Sequence, residues 1–174
     1  MDTTPAWTLR PGRPSDLDDL AELRAEVMRE DLVRLGRYDE DRVRRRMREG
    51  FSPHHTSVVE VGGVLAGCLT VRPADQGGRC LEHFYLAPAR QGRGLGSAVL
   101  RHVLAEADAA GEPVRLLVLR GSRARRLYER HGFTAEREEP VDIHLVRPAA
   151  APGPFRPGRS DGPSRRNGAG PDGW

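Results

Sequence analysis

Three glycines lie within five residues in the segment Gln91-Gly-Arg-Gly-Leu-Gly96. Glycine adopts left-handed backbone conformations readily and lets backbone N–H groups approach a ligand closely. An apolar segment, residues 81–86, precedes this segment, and a helical pattern begins directly after it. The spacing predicts a strand, a tight loop and a helix N-terminus, an arrangement that binds phosphate oxygens through backbone N–H groups. We therefore expect the glycine loop, residues 91–96, to hold the diphosphate of a coenzyme.

The chain contains no lysine, so all 28 basic residues are arginine. A P-loop nucleotide site needs a lysine after its glycines, and Schiff-base catalysis needs a lysine amine, so both are excluded. A dinucleotide-binding fold usually carries its glycine fingerprint directly after a first strand. Here the glycine loop follows several strand patterns joined by short turns, which disfavours a dinucleotide site.

The segments around the glycine loop carry clear strand and helix patterns. Apolar periodicity and turn residues predict strands at residues 7–10, 56–61, 64–71, 79–86, 114–119, 133–138 and 141–147, and helices at 15–32, 39–50, 94–110 and 123–131. Gly62-Gly63 predicts a hairpin turn, so the strands between residues 56 and 86 should form an antiparallel meander. The apolar run at 114–119 predicts a strand parallel to the one before the loop, reached through a helical crossover.

Composition predicts one domain, residues 1–147, followed by a disordered tail at residues 148–174 that is rich in Pro, Gly and Arg. We find no apolar run long enough to span a membrane and no secretory signal, and therefore expect a cytoplasmic protein. The net charge of +3 is small, so nucleic-acid binding is not expected. His54 and His55 lack a third ligand at suitable spacing, so we expect no metal site.

The second predicted helix, residues 39–50, is unusually rich in arginine. Its arginines are Arg42, Arg44, Arg45, Arg46 and Arg48. Two interpretations stay open: a solvated charged face, or an anion-facing patch beside the substrate entrance. The second interpretation favours an acidic acceptor.

Two motifs together resemble the GCN5-related N-acetyltransferase (GNAT) superfamily. Its loop signature is Gln or Arg, two residues, Gly, one residue, then Gly or Ala. Its second signature is a Leu-Tyr pair on a helix, followed shortly by Gly-Phe. The matching residues are Gln91, Gly94 and Gly96 in the first signature, and Leu127, Tyr128, Gly132 and Phe133 in the second.

The resemblance covers roughly residues 9–146 and implies an α/β (α+β) fold. In that fold a mixed, mostly antiparallel sheet of six to seven strands is flanked by about four helices. The fourth and fifth strands should separate, at Pro88, to admit a coenzyme arm. The resemblance also implies acetyl-coenzyme A as co-substrate and an amine as acceptor, and dimerisation, common in the superfamily, stays open.

The resemblance places the coenzyme on named residues. The expected contacts are Gln91, Gly92, Arg93, Gly94, Leu95, Gly96 and Ser97 around the diphosphate, the backbone of Phe84 and Leu86 along the pantetheine arm, and Ser122 before the second motif. Arg93 either adds charge at the diphosphate or faces solvent. Ser122, or Gly121 on another spacing, stands where many relatives carry an asparagine.

Acetyl transfer requires a neutral amine, and an alkylamine with a pKa near ~10.4 is only about 0.04% neutral at pH 7. A general base is therefore expected, and Glu82 is the candidate, with a structural carboxylate as the other interpretation. Strand alternation places His83 on the opposite face, where we expect a packed sheet residue rather than a base. Tyr128 resembles the tyrosine that protonates the leaving thiolate. The alternatives are a packed aromatic at Tyr128 and an acid role for Tyr85.

The sequence thus predicts an acetyl-coenzyme A-dependent N-acetyltransferase that works by direct attack. A non-catalytic acyl-coenzyme A sensor on the same fold is the first alternative. A nucleic-acid-associated protein that uses the second helix and the tail is the other. The acceptor cannot be read from the sequence, because the first two helices that should bind it vary widely in the superfamily.

Overall fold

The computed structural model describes residues 6–150, and residues 151–174 of the predicted tail lie outside this range. The described chain forms strands β1 (Trp7–Pro11), β2 (Thr56–Val61), β3 (Val64–Pro73), β4 (Arg79–Leu86), β5 (Val114–Leu119), β6 (Thr134–Glu138) and β7 (Asp142–Arg147). Its α-helices are α1 (Leu17–Arg34), α2 (Glu40–Gly50), α3 (Leu95–Ala110) and α4 (Ala124–Arg130). None of the helices in this part of the chain combines the length and apolarity that a membrane crossing needs.

All seven strands join one sheet in the order β1-β2-β3-β4-β5-β7-β6. Neighbouring strands are antiparallel except β4 and β5, which are parallel. The predicted mixed, mostly antiparallel sheet with four helices is confirmed. The sequence did not predict that β7 would lie between β5 and β6.

The sheet separates two hydrophobic cores. Apolar side chains of α3, together with Tyr128 and Phe133, pack on one face. Apolar side chains of α1 and α2 pack on the other face. Val58 belongs to the α1–α2 core and its neighbour Val59 to the α3 core, because successive strand residues point to opposite faces.

Strands β4 and β5 are paired only over their first halves. Arg79–Leu81 pairs with Val114–Leu116, and no pairing between the two strands follows within the described chain. The predicted separation of the fourth and fifth strands is confirmed, but its expected position at Pro88 is wrong. The strands part at Glu82, well before the end of β4.

A β-bulge in β4 accompanies this separation. Tyr85 lies opposite Cys68 of β3, but Glu82 lies opposite Thr70, so β4 carries one more residue than β3 between these pairs. Within the bulge His83 has a φ of 49°, in the left-handed region that non-glycine residues rarely occupy. A bulge bends its strand and increases the local twist, which turns the second half of β4 away from β5.

Candidate active site

A cleft of about 670 Å³ opens where β4 and β5 part. Its walls come from α1, α2, β4, β5, α4 and the start of β7. The cleft brings together Glu82, His83, Phe84, Tyr85, Ser122 and Tyr128. Four of the predicted site residues, from three separate segments, therefore share one cavity: Glu82, Phe84, Ser122 and Tyr128.

The bulge changes which side of the sheet His83 occupies. Glu82 Oε2 lies 3.0 Å from Arg72 Nε, and Arg72 also donates a hydrogen bond to the carbonyl of Gly50 at the end of α2. The His83 imidazole lies against the same Gly50, where an added Cβ would collide with the ring. Glu82 and His83 thus face the same side. The predicted opposite placement is wrong, because the extra residue of the bulge shifts the alternation.

His83 can accept a proton at neutral pH. Burial lowers the pKa of the His83 imidazole, the positive charge of Arg24 lowers it further, and the carboxylate of Glu82 acts in the opposite direction. The imidazole Nδ1 lies 3.5 Å from Thr70 Oγ1. The sequence carries no signal for this environment, because the bulge depends on the pairing of β4 with β3.

Glu82 is held by charge rather than by an aligned hydrogen bond. Arg72 Nε is buried and lacks a hydrogen-bond partner in the described chain, although Glu82 Oε2 is 3.0 Å away. The carboxylate also lies 3.7 Å from the thiol of Cys80. The contact with Arg72 therefore fixes the Glu82 carboxylate in the wall of the cleft.

Tyr128 is positioned by helix packing. Its ring is 7% exposed and meets Phe133 edge to face, with the ring centroids 5.7 Å apart. Burial raises the pKa of Tyr128 above its ordinary value, so the hydroxyl keeps its proton at neutral pH. The hydroxyl can therefore donate a hydrogen bond or a proton into the cleft.

Tyr85 is tied to Arg24, a residue of α1 that sequence reasoning missed. Arg24 Nε donates a hydrogen bond to the Tyr85 hydroxyl at 3.0 Å, and Nη1 donates to the carbonyl of Val43. Burial also raises the pKa of Tyr85, so this hydroxyl keeps its proton too. The apolar periodicity of α1 predicts buried apolar residues on one face and exposed polar residues on the other. It does not predict that an arginine is buried.

The glycine loop lies at the end of β4 and leads into α3. Gly92 and Gly94 have φ values of 72° and 79°, which a side chain would make unfavourable. Gly94 is the N-cap of α3, and no side chain caps the helix. Within the described chain, the backbone N–H groups of residues 92–97 have no hydrogen-bond acceptor. They are available to an anionic ligand.

Gln91 anchors the glycine loop. Its side-chain amide donates a hydrogen bond to the carbonyl of Leu86 at 2.8 Å, and its backbone N–H donates to the carbonyl of Pro88 at 3.2 Å. A Cβ on Gly96 would lie 3.4 Å from side-chain atoms of both Leu86 and Leu127. The first turn of α3 therefore packs between the end of β4 and the helix that carries Tyr128.

The remaining predicted contacts occupy different surroundings. Leu95 is buried in the α3 core, Ser97 is half-buried, and Arg93 is exposed. Ser122 lines the cleft, and its hydroxyl accepts a hydrogen bond from the N–H of Ala124 at 3.3 Å. In residues 6–150, no group of three or more His, Cys, Asp or Glu side chains could hold a metal ion.

Comparison with known proteins agrees with this architecture. A model of the acetyltransferase (GNAT) domain family matches residues 52–135, which include β4, the glycine loop, β5 and Tyr128. A search of curated proteins gives no match.

Solved structures with the same fold include several acetyltransferases. PaiA N-acetyltransferase from Thermoplasma acidophilum, in complex with coenzyme A, is 19% identical with a TM-score of 0.67, over 82% of this chain and 99% of that one. The ribosomal-protein-S18-alanine N-acetyltransferase from Escherichia coli is 18% identical with a TM-score of 0.64, over 86% and 99%. Histone acetyltransferase HPA2 and related acetyltransferase from Corynebacterium glutamicum is 19% identical with a TM-score of 0.67, over 85% and 99%. The resemblance to the GNAT superfamily is therefore confirmed: residues 52–135 match its acetyltransferase domain model, and the described chain shares the fold of solved acetyltransferases.

Proposed function

We propose that the protein transfers the acetyl group of acetyl-coenzyme A to an amine. The observation that carries this proposal is the cleft between the parted strands β4 and β5. The glycine loop that follows β4 adds backbone N–H groups that have no acceptor in the described chain. PaiA N-acetyltransferase, which has the same fold, was solved in complex with coenzyme A. A coenzyme on this fold needs a diphosphate site and a channel for its arm, and the two features supply them.

The glycine loop would bind the diphosphate of the coenzyme. The backbone N–H groups of residues 92–97 have no acceptor in the described chain and would donate to the diphosphate oxygens, and the N-terminus of α3 would add its positive dipole end. The exposed guanidinium of Arg93 adds charge beside it. The pantetheine arm would then lie along the backbone of Phe84 and Leu86, where β4 has lost β5 as its partner.

Two groups on β4 can take the proton of the amine. The imidazole of His83 is the better candidate, since burial lowers its pKa and keeps it neutral, whereas the carboxylate of Glu82 is engaged by Arg72. The carboxylate of Glu82 then stabilises the imidazolium that forms, because its charge raises the pKa of His83. Glu82, the base expected from the sequence, remains the second candidate for the same step.

Tyr128 would protonate the leaving group. Attack of the amine on the thioester carbonyl forms a tetrahedral intermediate, whose collapse breaks the carbon–sulfur bond and releases the coenzyme thiolate. The protonated hydroxyl of Tyr128 gives its proton to this sulfur. The proton that His83 or Glu82 takes from the ammonium before attack leaves to solvent. The second proton leaves the nitrogen as the intermediate collapses and restores the Tyr128 hydroxyl through solvent, so the reaction yields the amide, the free thiol and one proton.

Direct attack is favoured over an acetyl-cysteine intermediate. Cys80 lines the cleft, but burial raises the pKa of its thiol to about 11. Only about 0.01% of such a thiol is thiolate at pH 7, and the thiolate is the nucleophilic form. A covalent step through Cys80 would therefore be slow.

The test is a screen of amines with acetyl-coenzyme A, in which free thiol release is measured and acetylated products are identified by mass. Amine-dependent release that needs Tyr128 supports the proposal. Tight acetyl-coenzyme A binding without turnover on any amine would instead favour the non-catalytic sensor.

A further inference from the structure

Arg24 carries a positive charge in the wall of the cleft without a negative partner. The residue is 8% exposed, and its hydrogen bonds go to a neutral hydroxyl and a backbone carbonyl. No carboxylate of residues 6–150 lies within ion-pair distance of its guanidinium. Burying a charge without a counter-charge is unfavourable, so a site of this kind favours an anionic ligand.

Tyr85 supplies a second hydrogen-bond donor beside the guanidinium of Arg24. Its hydroxyl oxygen accepts the hydrogen bond from Arg24 Nε at 3.0 Å, so its own hydrogen is left to donate. Both side chains line the cleft. The Nη2 group of Arg24 and the hydroxyl of Tyr85 can thus donate to the two oxygens of one carboxylate.

The arginines of α2 divide into two sets. Arg44, Arg45 and Arg48 form ion pairs with acidic side chains away from the cleft. Arg42 and Arg46, four residues apart and so on one helix face, line the cleft and form no ion pair within the described chain. Helix α2 therefore carries an ion-paired set of arginines outside the cleft and an unpaired set, Arg42 and Arg46, that lines it.

The acidic residues of the cleft do not cancel this charge. Asp31 is paired with Arg34 at 2.7 Å, and Glu82 with Arg72 at 3.0 Å. Asp142 also lines the cleft, but it lies on β7, which β5 separates from β4. The side of the cleft formed by α1 and α2 keeps an excess of positive charge.

We propose that the acceptor is a small amine that carries a carboxylate, and that Arg24 and Tyr85 bind this carboxylate. The inference rests on the proposed acetyl transfer and names the class of its substrate. The ring centroids of His83 and Tyr85 are 6.1 Å apart. When the substrate carboxylate binds to Tyr85, its amine lies beside His83 only if few bonds separate the carboxylate from the amine, as in an amino acid.

The experiment compares amino acids with their carboxamides and their decarboxylated amines, using the full chain and saturating acetyl-coenzyme A. We expect kcat/KM, measured by thiol release, to be at least about tenfold higher for the acid than for its carboxamide. The amine of a carboxamide is less basic, so easier deprotonation cannot produce this preference. Arg24→Met should bring the ratio close to one, whereas Arg24→Lys should retain part of it.

Three further variants keep the test valid if Arg24→Met does not fold. Tyr85→Phe should raise KM for the acid several-fold, and Arg42→Gln with Arg46→Gln should do so by a smaller, salt-dependent factor. Arg45→Gln, on the same helix but outside the cleft, is the matched control and should leave KM for the acid unchanged.

Each remaining outcome has a distinct meaning. The inference would be overturned if kcat/KM were equal for acids and carboxamides, or if Arg24→Met lowered kcat/KM by the same factor for both. Either result would leave the proposed function intact. Thiol release with none of the amines, despite coenzyme binding, would overturn the proposed function and the inference with it.

Discussion

The glycine loop and the cleft form one candidate site, but they are built in different ways. The loop presents backbone N–H groups of consecutive residues, and the positive φ angles of Gly92 and Gly94 shape it. The cleft presents side chains from six helices and strands that are far apart in the chain. A common coenzyme can be bound by a local backbone motif, whereas an individual acceptor needs side chains that the tertiary structure assembles.

The two regions should therefore respond differently to substitution. In the loop, a change should matter most when it alters the backbone that presents the N–H groups. In the cleft, removal of a single atom from a side chain should change the chemistry while the backbone stays in place.

Tyr128→Phe should produce the largest effect. The substitution removes only the hydroxyl, so we expect kcat to fall by roughly 100-fold because the leaving thiolate loses its proton donor. Acetyl-coenzyme A affinity, measured by calorimetry, should change less than about threefold. Tyr38→Phe, outside the cleft, is the control, and an unchanged kcat in Tyr128→Phe would remove the acid role.

The base should be identified by the pH dependence of kcat/KM for the acceptor. His83→Gln should lower kcat/KM by roughly 30-fold and remove the acidic limb of the profile. Glu82→Gln should shift that limb to lower pH, because loss of the carboxylate lowers the pKa of His83 further. If Glu82 is the base instead, Glu82→Gln abolishes the limb and His83→Gln leaves it.

His83 should also affect stability. The pKa of its imidazole is lower in the folded protein than in the unfolded chain, so the unfolded chain binds the proton more readily. The free energy of unfolding should therefore decrease as the pH falls below about 6.5, the ordinary value. In denaturant unfolding, the free energy of unfolding of His83→Gln should depend less on pH in this range than that of the wild-type protein. An equally steep pH dependence in the variant would contradict the burial of a neutral imidazole.

Gly94→Ala should weaken acetyl-coenzyme A binding by about tenfold. A side chain at a φ of 79° costs roughly 1–2 kcal/mol, and relief of this strain moves the N–H groups of the loop. Gly62→Ala is the matched control, since Gly62 has a φ of 62° in the β2–β3 hairpin, away from the site. Similar affinity losses in both variants would show that the loop has no specific role.

Cys80→Ala should have the smallest effect. The thiol lines the cleft, but its pKa of about 11 leaves it protonated at neutral pH. We expect kcat to stay within about threefold of the wild-type value. A loss as large as that of Tyr128→Phe, with an acetylated Cys80 detected by mass spectrometry, would replace direct attack by a covalent route.

The features that the sequence predicted correctly depend on neighbours within a few residues. The helix predicted at residues 39–50 is present as α2, where Asp39 caps the N-terminus by accepting a hydrogen bond from the N–H of Arg42 at 2.9 Å. Gly62 and Gly63 form the hairpin turn with positive φ angles, and Gly94 and Gly111 bound α3. Side-chain size, φ preference and apolar periodicity act over such short separations, so local structure of this kind can be predicted from the residue types alone.

The arrangement of the cleft depends on pairings between distant segments. The bulge at His83 exists only in the pairing of β4 with β3, and it decides which face His83 shares with Glu82. Arg24 reaches the cleft only because α1 packs over Tyr85. The sequence by itself determined the sheet class and the strand and helix that carry Glu82 and Tyr128, and it predicted the glycine loop as a diphosphate site. Only the tertiary structure decided where the strands part, which base candidate is neutral and which arginine lies unpaired in the cleft, because burial and charge environment arise from contacts across the fold.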